Sequence, residues 1–175
     1  MSKLLLTKHF ASTHDASKRL VGNIVNGNQV IIPTKAMNYV LEEIKTQIED
    51  YILEISSDTY KVKDIKPKLF WIVNSVNSDF NPLHSHTGDL SGVIYLDIPE
   101  TMPTSKEEGN IAFTHGVYHP QSLNFLGPRS YKPKSGDILL FPSWLTHFVY
   151  PTHTDTKRII ISFNLNLELT LNYKN

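Results

Sequence analysis

The residues of this 175-residue chain best suited to chemistry are its histidines, eight in number: His9, His14, His84, His86, His115, His119, His147 and His153. Taken singly, a histidine is usually a solvated loop residue or a core residue with one satisfied hydrogen bond. Spacing separates some of these from the rest. In Leu83-His84-Ser85-His86-Thr87-Gly88-Asp89, a strand would place both imidazoles on one face, because side chains alternate with a period of two. Thr87-Gly88-Asp89 then forms a tight turn, with Leu90–Leu96 as the strand that returns. Two neutral imidazoles with the Asp89 carboxylate one turn away make a site for a borderline divalent metal.

A single hairpin cannot wrap an ion, so a further ligand has to come from a distant strand. His147 is placed for this, since Gly136–Phe141 runs as a strand into the turn Pro142-Ser143 and His147 re-enters the sheet. Eleven residues later Arg158 opens Arg158-Ile159-Ile160-Ile161-Ser162-Phe163-Asn164. A guanidinium fork at the start of a buried strand suits bidentate capture of a small carboxylate.

The elements that must carry these residues are mostly short strands. Leu69–Val73, Leu90–Ile98, Ile111–Phe113, Ile138–Phe141, His147–Tyr150 and Arg158–Leu169 are strand-like and separated by proline and glycine turns, which predicts an antiparallel sandwich or barrel. Ile159-Ile160-Ile161 predicts a central strand buried on both faces. Upstream, Val30-Ile31-Ile32 is a short β-branched run, and residues 56 to 64 are polar. Between them Met37, Val40, Leu41, Ile44, Ile48 and Tyr51 recur at helical spacing behind Thr34, a candidate N-cap. That amphipathic helix needs a surface to cover, most simply the back of a sheet.

Composition bounds the rest. The length supports one domain, 1–175, with an N-terminal strand and helix region over 1–68 and a β core over 69–170. A hydrophobic fraction of 40% and a mean hydropathy of -0.23 describe an ordinary folded domain. The absence of cysteine excludes disulfide scaffolds, thiol nucleophiles and cysteine-ligated clusters, leaving imidazole and carboxylate as natural metal ligands. Seventeen basic and seventeen acidic side chains cancel, so no global field draws the chain to nucleic acid or anionic membrane. Leu4-Leu5-Leu6 is too short for a signal-peptide core or a membrane span, and the expectation is a soluble cytoplasmic protein.

His84-Ser85-His86, Ser91-Gly92-Val93-Ile94-Tyr95, Phe141-Pro142-Ser143-Trp144-Leu145-Thr146-His147 and Arg158 through Asn164 occur in an order and at spacings that resemble the iron(II)- and 2-oxoglutarate-dependent oxygenases. The resemblance covers about residues 70 to 166 and is strongest to the small oxygenases of this kind in bacteria and cyanophages. It implies a mainly β fold, a double-stranded β-helix or jelly roll with helices packed on one sheet. It implies Fe(II), 2-oxoglutarate and O2 as cofactor and cosubstrates, with succinate and carbon dioxide as products of a hydroxylation. His147 corresponds to the distal iron ligand, Arg158 to the holder of the remote carboxylate, and Tyr95 to a tyrosine that donates to the same carboxylate. Asn74 is placed to contact cosubstrate or substrate.

Two departures stand out. The superfamily's carboxylate ligand falls at His86 if His84 is the first ligand and at Gly88 if His86 is, so the site is three-histidine or Asp89 supplies the carboxylate. Position 160 is isoleucine where many relatives carry a serine that helps hold the cosubstrate. The main alternative is a cupin-like metal-binding protein without oxygenase activity, against which the basic anchor Arg158 argues.

The other histidines carry no pattern, although His115 and His119 sit in a stretch able to line a substrate entrance. Trp71, Phe80, Tyr118 and Trp144 are candidates for a pocket wall, with core packing the simpler role. Lys61, Lys63, Lys66 and Lys68 form a patch better explained as a solvated, alternately charged face than as a nucleic-acid footprint. The expected partner is a small-molecule or peptide substrate, and the sequence does not encode the oligomeric state in any legible way.

Overall fold

The structure, a computed structural model, describes residues 14–100, 107–114, 127–153, 155 and 157–173. In chain order these form β1 (Asn28–Ile31), α1 (Thr34–Ile55), β2 (Tyr60–Ser75), β3 (Asn81–His84), β4 (Leu90–Asp97), β5 (Ile111–Phe113), β6 (Arg129–Tyr131), β7 (Ile138–Pro142), β8 (His147–Val149) and β9 (Arg158–Leu171). All pairings are antiparallel and build two sheets, one ordered β1-β2-β9-β4-β7 and the other β3-β8-β5-β6.

Helix α1 buries Val40, Leu41, Ile44, Ile48 and Ile52, the stripe expected from their spacing, against one face of the five-stranded sheet. That face supplies Phe70, Ile72, Leu90, Ile161, Phe163 and Leu165, with the Phe70 and Phe163 rings stacked at 5.1 Å. Each such side chain contributes roughly 1.5–3 kcal/mol through burial. The helix start differs from expectation. Pro33 occupies the N-cap, its carbonyl accepting from Met37 N, and Thr34 is already helical, so its hydroxyl does not cap.

The other face of the same sheet presents Trp71, Val73, Val93, Tyr95, Ile160 and Phe141 to Ile111, Phe113 and Val149 of the four-stranded sheet. Because β9 lies between β2 and β4, its Ile159 and Ile161 pack toward α1 and Ile160 packs between the sheets. That is the doubly buried strand its β-branched run predicts.

Three features depart from the pattern seen in the sequence. First, β3 and β4 do not form a hairpin: β3 joins the smaller sheet and β4 the larger, so residues 85–89 turn a corner between sheets. Gly88 makes that corner possible, with φ +126° and only 2.8 Å between a would-be Cβ and the Leu165 carbonyl. Second, β2 extends back through the polar stretch to Tyr60, paired with Leu165–Leu171. This ribbon is solvated over most of its surface, so no clean apolar alternation marks it. It also crosses the 68/69 division between N-terminal region and core. Pro67 is tolerated there because β1 pairs only with Trp71–Asn74, leaving one edge of β2 open at Pro67. Third, β6 is three exposed residues with no apolar signal. Among the described residues, no helix is long and apolar enough to cross a membrane.

Candidate metal centre

His84 ends β3 and His147 begins β8, and the two are direct register partners. Strand pairing therefore brings the distant histidine to the first one. His86 lies two residues past the end of β3, where its N–H donates to the Ser143 carbonyl at 2.8 Å. Ser143 in turn is pinned by Ser91 Oγ at 2.8 Å, and Ser91 donates to Asn164 Oδ1. This buried chain ties the turn before His147 and the segment bearing His86 to the larger sheet.

The ring centroids of His84, His86 and His147 are 4.3–5.1 Å apart, and one ligand atom from each lies within 4.8 Å of the others. His84 Nδ1 is 2.7 Å from the Pro82 carbonyl and His147 Nδ1 is 2.9 Å from that of Leu145. A carbonyl only accepts, so each ring donates from Nδ1 and leaves the Nε2 lone pair free for a metal. Burial holds the imidazoles neutral: it lowers the pKa of His84, that of His86 to about 3 and that of His147 to about 4. For His86 the neighbouring imidazoles add to this effect. Three neutral nitrogen donors set close together, each pair within reach of one ion, fit a borderline divalent cation.

Asp89 is not in this group. Its Oδ2 accepts from Leu167 N at 2.8 Å, and its backbone bonds to Leu165 and Ser143. The corner turned after His86 carries the carboxylate away toward β9, where it fastens that corner to the larger sheet. The three-histidine arrangement is the one the structure assembles.

A cavity runs from the histidines along the space between the sheets, past Trp71, Val93, Phe141 and Ile160, to Tyr95 and Arg158. Arg158 is 3% exposed, with its guanidinium carbon 5.4 Å from the Tyr95 ring centroid. Its Nε and Nη2 and the Tyr95 hydroxyl are buried with no hydrogen-bond partner. Burial lowers the Arg158 pKa and pushes that of Tyr95 up to about 12. A buried cation with open donors is costly unless an anion answers it. The donor set therefore fits a carboxylate at this end and a metal at the other.

Asn74 does not reach the cavity. It shares a face with Phe70 and Ile72, away from the space between the sheets, and its Nδ2 donates to Asn28 Oδ1 across the β1–β2 pair. Two cavity residues escaped the sequence pattern. Asn81 sits three before His84, hidden by the register shift between them, and Ser162 shares a face with Arg158, visible once the period of two is followed along β9.

Trp71 lines the cavity with its ring 5.7 Å from His86, whereas Trp144 is 72% exposed and Phe80 is half-buried. His153 sits on the surface against Glu108. Lys63 pairs with Glu168 and Lys66 with Asp64, as a solvated charged face would. His9, His115, Tyr118 and His119 lie outside the described residues.

The family profile described as "Putative 2OG-Fe(II) oxygenase" matches residues 69–164. No curated protein matches the chain in sequence. Among solved structures, a prolyl-4-hydroxylase of Pseudomonas putida is similar, with TM-score 0.56 and 14% identity over 94% of this chain and 80% of its own. An oxidoreductase of the 2OG-Fe(II) oxygenase family from Burkholderia pseudomallei gives TM-score 0.58 and 13% identity over 86% and 73%. HygX of Streptomyces hygroscopicus, with nickel and 2-oxoglutarate bound, gives 0.53 and 16% over 85% and 74%. At these identities the likeness is one of fold.

Proposed function

We propose, from the premise that the chain belongs to the 2OG-Fe(II) oxygenase family, that it hydroxylates a C–H bond of a small molecule or peptide side chain while converting 2-oxoglutarate to succinate and carbon dioxide. As a member it is a 2-oxoglutarate-dependent non-haem iron dioxygenase, with Fe(II) as cofactor and 2-oxoglutarate and O2 as cosubstrates. The observation that carries the finer reading is one cavity with three imidazoles at one end and a buried arginine whose Nε and Nη2 have no partner at the other. In this reading the two facing antiparallel sheets are the jelly roll of the family.

His84, His86 and His147 would hold the iron, and iron with 2-oxoglutarate supplies the oxidising chemistry when both are bound. The chain's own work is placement. Nδ1–H bonds to Pro82 and Leu145 fix the rings of His84 and His147, while the Ser143 carbonyl fixes the backbone at His86. Arg158 Nε and Nη2 donate to the remote carboxylate of 2-oxoglutarate, and Tyr95 Oη adds a third donor from the neighbouring strand. Trp71, Val93, Ile160 and Phe141 exclude water between the two ends, which strengthens both electrostatic contacts. All three imidazoles are neutral, so they would leave the charge of a bound dication uncancelled, to the benefit of a dianionic cosubstrate.

Folds like this one carry nickel and 2-oxoglutarate together in HygX and serve prolyl hydroxylation in the Pseudomonas putida enzyme, which supports the same chemistry here. The test is anaerobic titration of the iron(II)-loaded protein with 2-oxoglutarate. A visible metal-to-ligand charge-transfer band is expected, and in air 2-oxoglutarate-dependent succinate formation. Absence of both would refute the reading. A cupin-like protein without oxygenase activity would bind metal without needing Arg158.

A further inference from the structure

The residue two beyond Arg158 on β9, and on its face, is Ile160, which offers no donor. A carboxylate has two oxygens and about four lone-pair sites. Arg158 Nε and Nη2 and Tyr95 Oη supply three donors. Two hydroxyls approach Arg158 from other elements. Ser75 is the register partner of Arg158 on β2. Thr152 comes from the segment following β8 and lines, with Ser75, a second cavity that adjoins the first along Asn81, Val149, Arg158 and Ile160. Of the two, Thr152 is the one whose hydroxyl oxygen is wholly enclosed and without a partner, in a residue 2% exposed. Its backbone is held by Ser78 N, which donates to the Thr152 carbonyl. Among the described residues the one carboxylate lining that cavity, Asp79, is otherwise engaged: Oδ1 accepts from Val25 N and Asn26 N, Oδ2 from Gly27 N and Val76 N.

We infer that Thr152 is a 2-oxoglutarate-binding residue, its hydroxyl donating to the remote carboxylate beside Arg158 and supplying the contact that Ile160 cannot. The inference rests on the reading above, in which that carboxylate lies against Arg158. Threonine reaches the site from outside the sheet, whereas a serine at position 160 would have reached it from within β9. The same donor is thus delivered by a different segment, with an apolar side chain left to wall the cavity.

The test is anaerobic binding to the iron(II)-loaded protein, followed by charge-transfer absorbance, with two ligands. These are 2-oxoglutarate and 2-oxopentanoate, which keeps the keto acid and chain but lacks the remote carboxylate. Thr152→Val, nearly isosteric, is expected to raise the Kd of 2-oxoglutarate about tenfold while leaving 2-oxopentanoate within about twofold, and Thr152→Ser should restore binding. Equal weakening of both ligands, or of neither, overturns the assignment. Thr152→Ala, with the melting temperature and iron(II) affinity of each variant, guards against misfolding of the valine form. If the wild type binds both ligands equally and Arg158→Met changes neither, the reading of the cavity falls and this inference with it. If Arg158→Met discriminates the ligands and Thr152→Val does not, only the inference falls.

Discussion

The two faces of the five-stranded sheet are made by the same strands and do opposite work. On β9, Ile161, Phe163 and Leu165 turn toward α1 and are completely enclosed by apolar neighbours. Alternating with them, Arg158, Ser162 and Asn164 turn toward the smaller sheet, each buried and polar. One face is packed with apolar side chains. The other keeps open donors on Arg158 and Tyr95 and shares its cavity with three imidazoles held neutral, carried by β3, β8 and the corner after β3. A period of two thus lets one strand stabilise the fold and hold the site at once, with little interference between the roles.

Substitutions on each face should separate these roles. The largest effect is expected from His147→Ala, which removes a ligand: iron(II) binding and turnover should be lost in an equilibrium metal assay, while the melting temperature of the metal-free protein changes little. On the opposite face Phe163→Ala should cost about 3–5 kcal/mol in denaturant unfolding and leave the iron affinity of the folded fraction intact. If Phe163→Ala also weakens iron binding in proportion, the faces are coupled and the contrast fails. Arg158→Met should weaken 2-oxoglutarate about 100-fold, as expected from losing two charge-assisted hydrogen bonds, yet raise the melting temperature of the metal-free protein. A fall in that melting temperature would mean the guanidinium is satisfied without ligand.

The smallest effect concerns pH. His86 and His147 titrate near 6.5 in an unfolded chain, but at about 3 and about 4 in the fold, chiefly through burial. Between these values the unfolded chain binds more protons, so stability rises with pH across that window. Metal-free protein should hold its melting temperature above pH 6.5 and lose it progressively as pH falls toward 4, and His86→Gln should flatten the profile. A flat wild-type profile would show that the imidazoles are solvated.

Local pattern made much of this visible. The 3.6-residue stripe from Met37 to Tyr51 marks α1, and β4, β5, β7 and β9 begin where their apolar runs begin. His84, His86, His147 and Arg158 stand out by type and spacing. The ribbon from Tyr60 to Pro67 was not legible, because a strand pair solvated on most of its surface selects no alternation. Asn81 was masked by the register shift before His84, since an irregular pairing breaks the period on which alternation relies. Asn74 has the right type for a site residue and the wrong parity, for its odd–even phase assigns it to the outer face.

What the sequence by itself determined is the supply of groups: imidazoles without thiols, one basic anchor on a buried strand, and strands short enough to stack as two sheets. Tertiary structure decided how they meet. It put β3 and β4 in different sheets, paired His84 with His147, drew Asp89 off to Leu167 and enclosed Arg158 beside Thr152. The physical reason is range. Periodicity and turn chemistry act over a few residues and are written locally, whereas strand partnership and burial depend on pairings tens of residues apart, which only the closed fold selects.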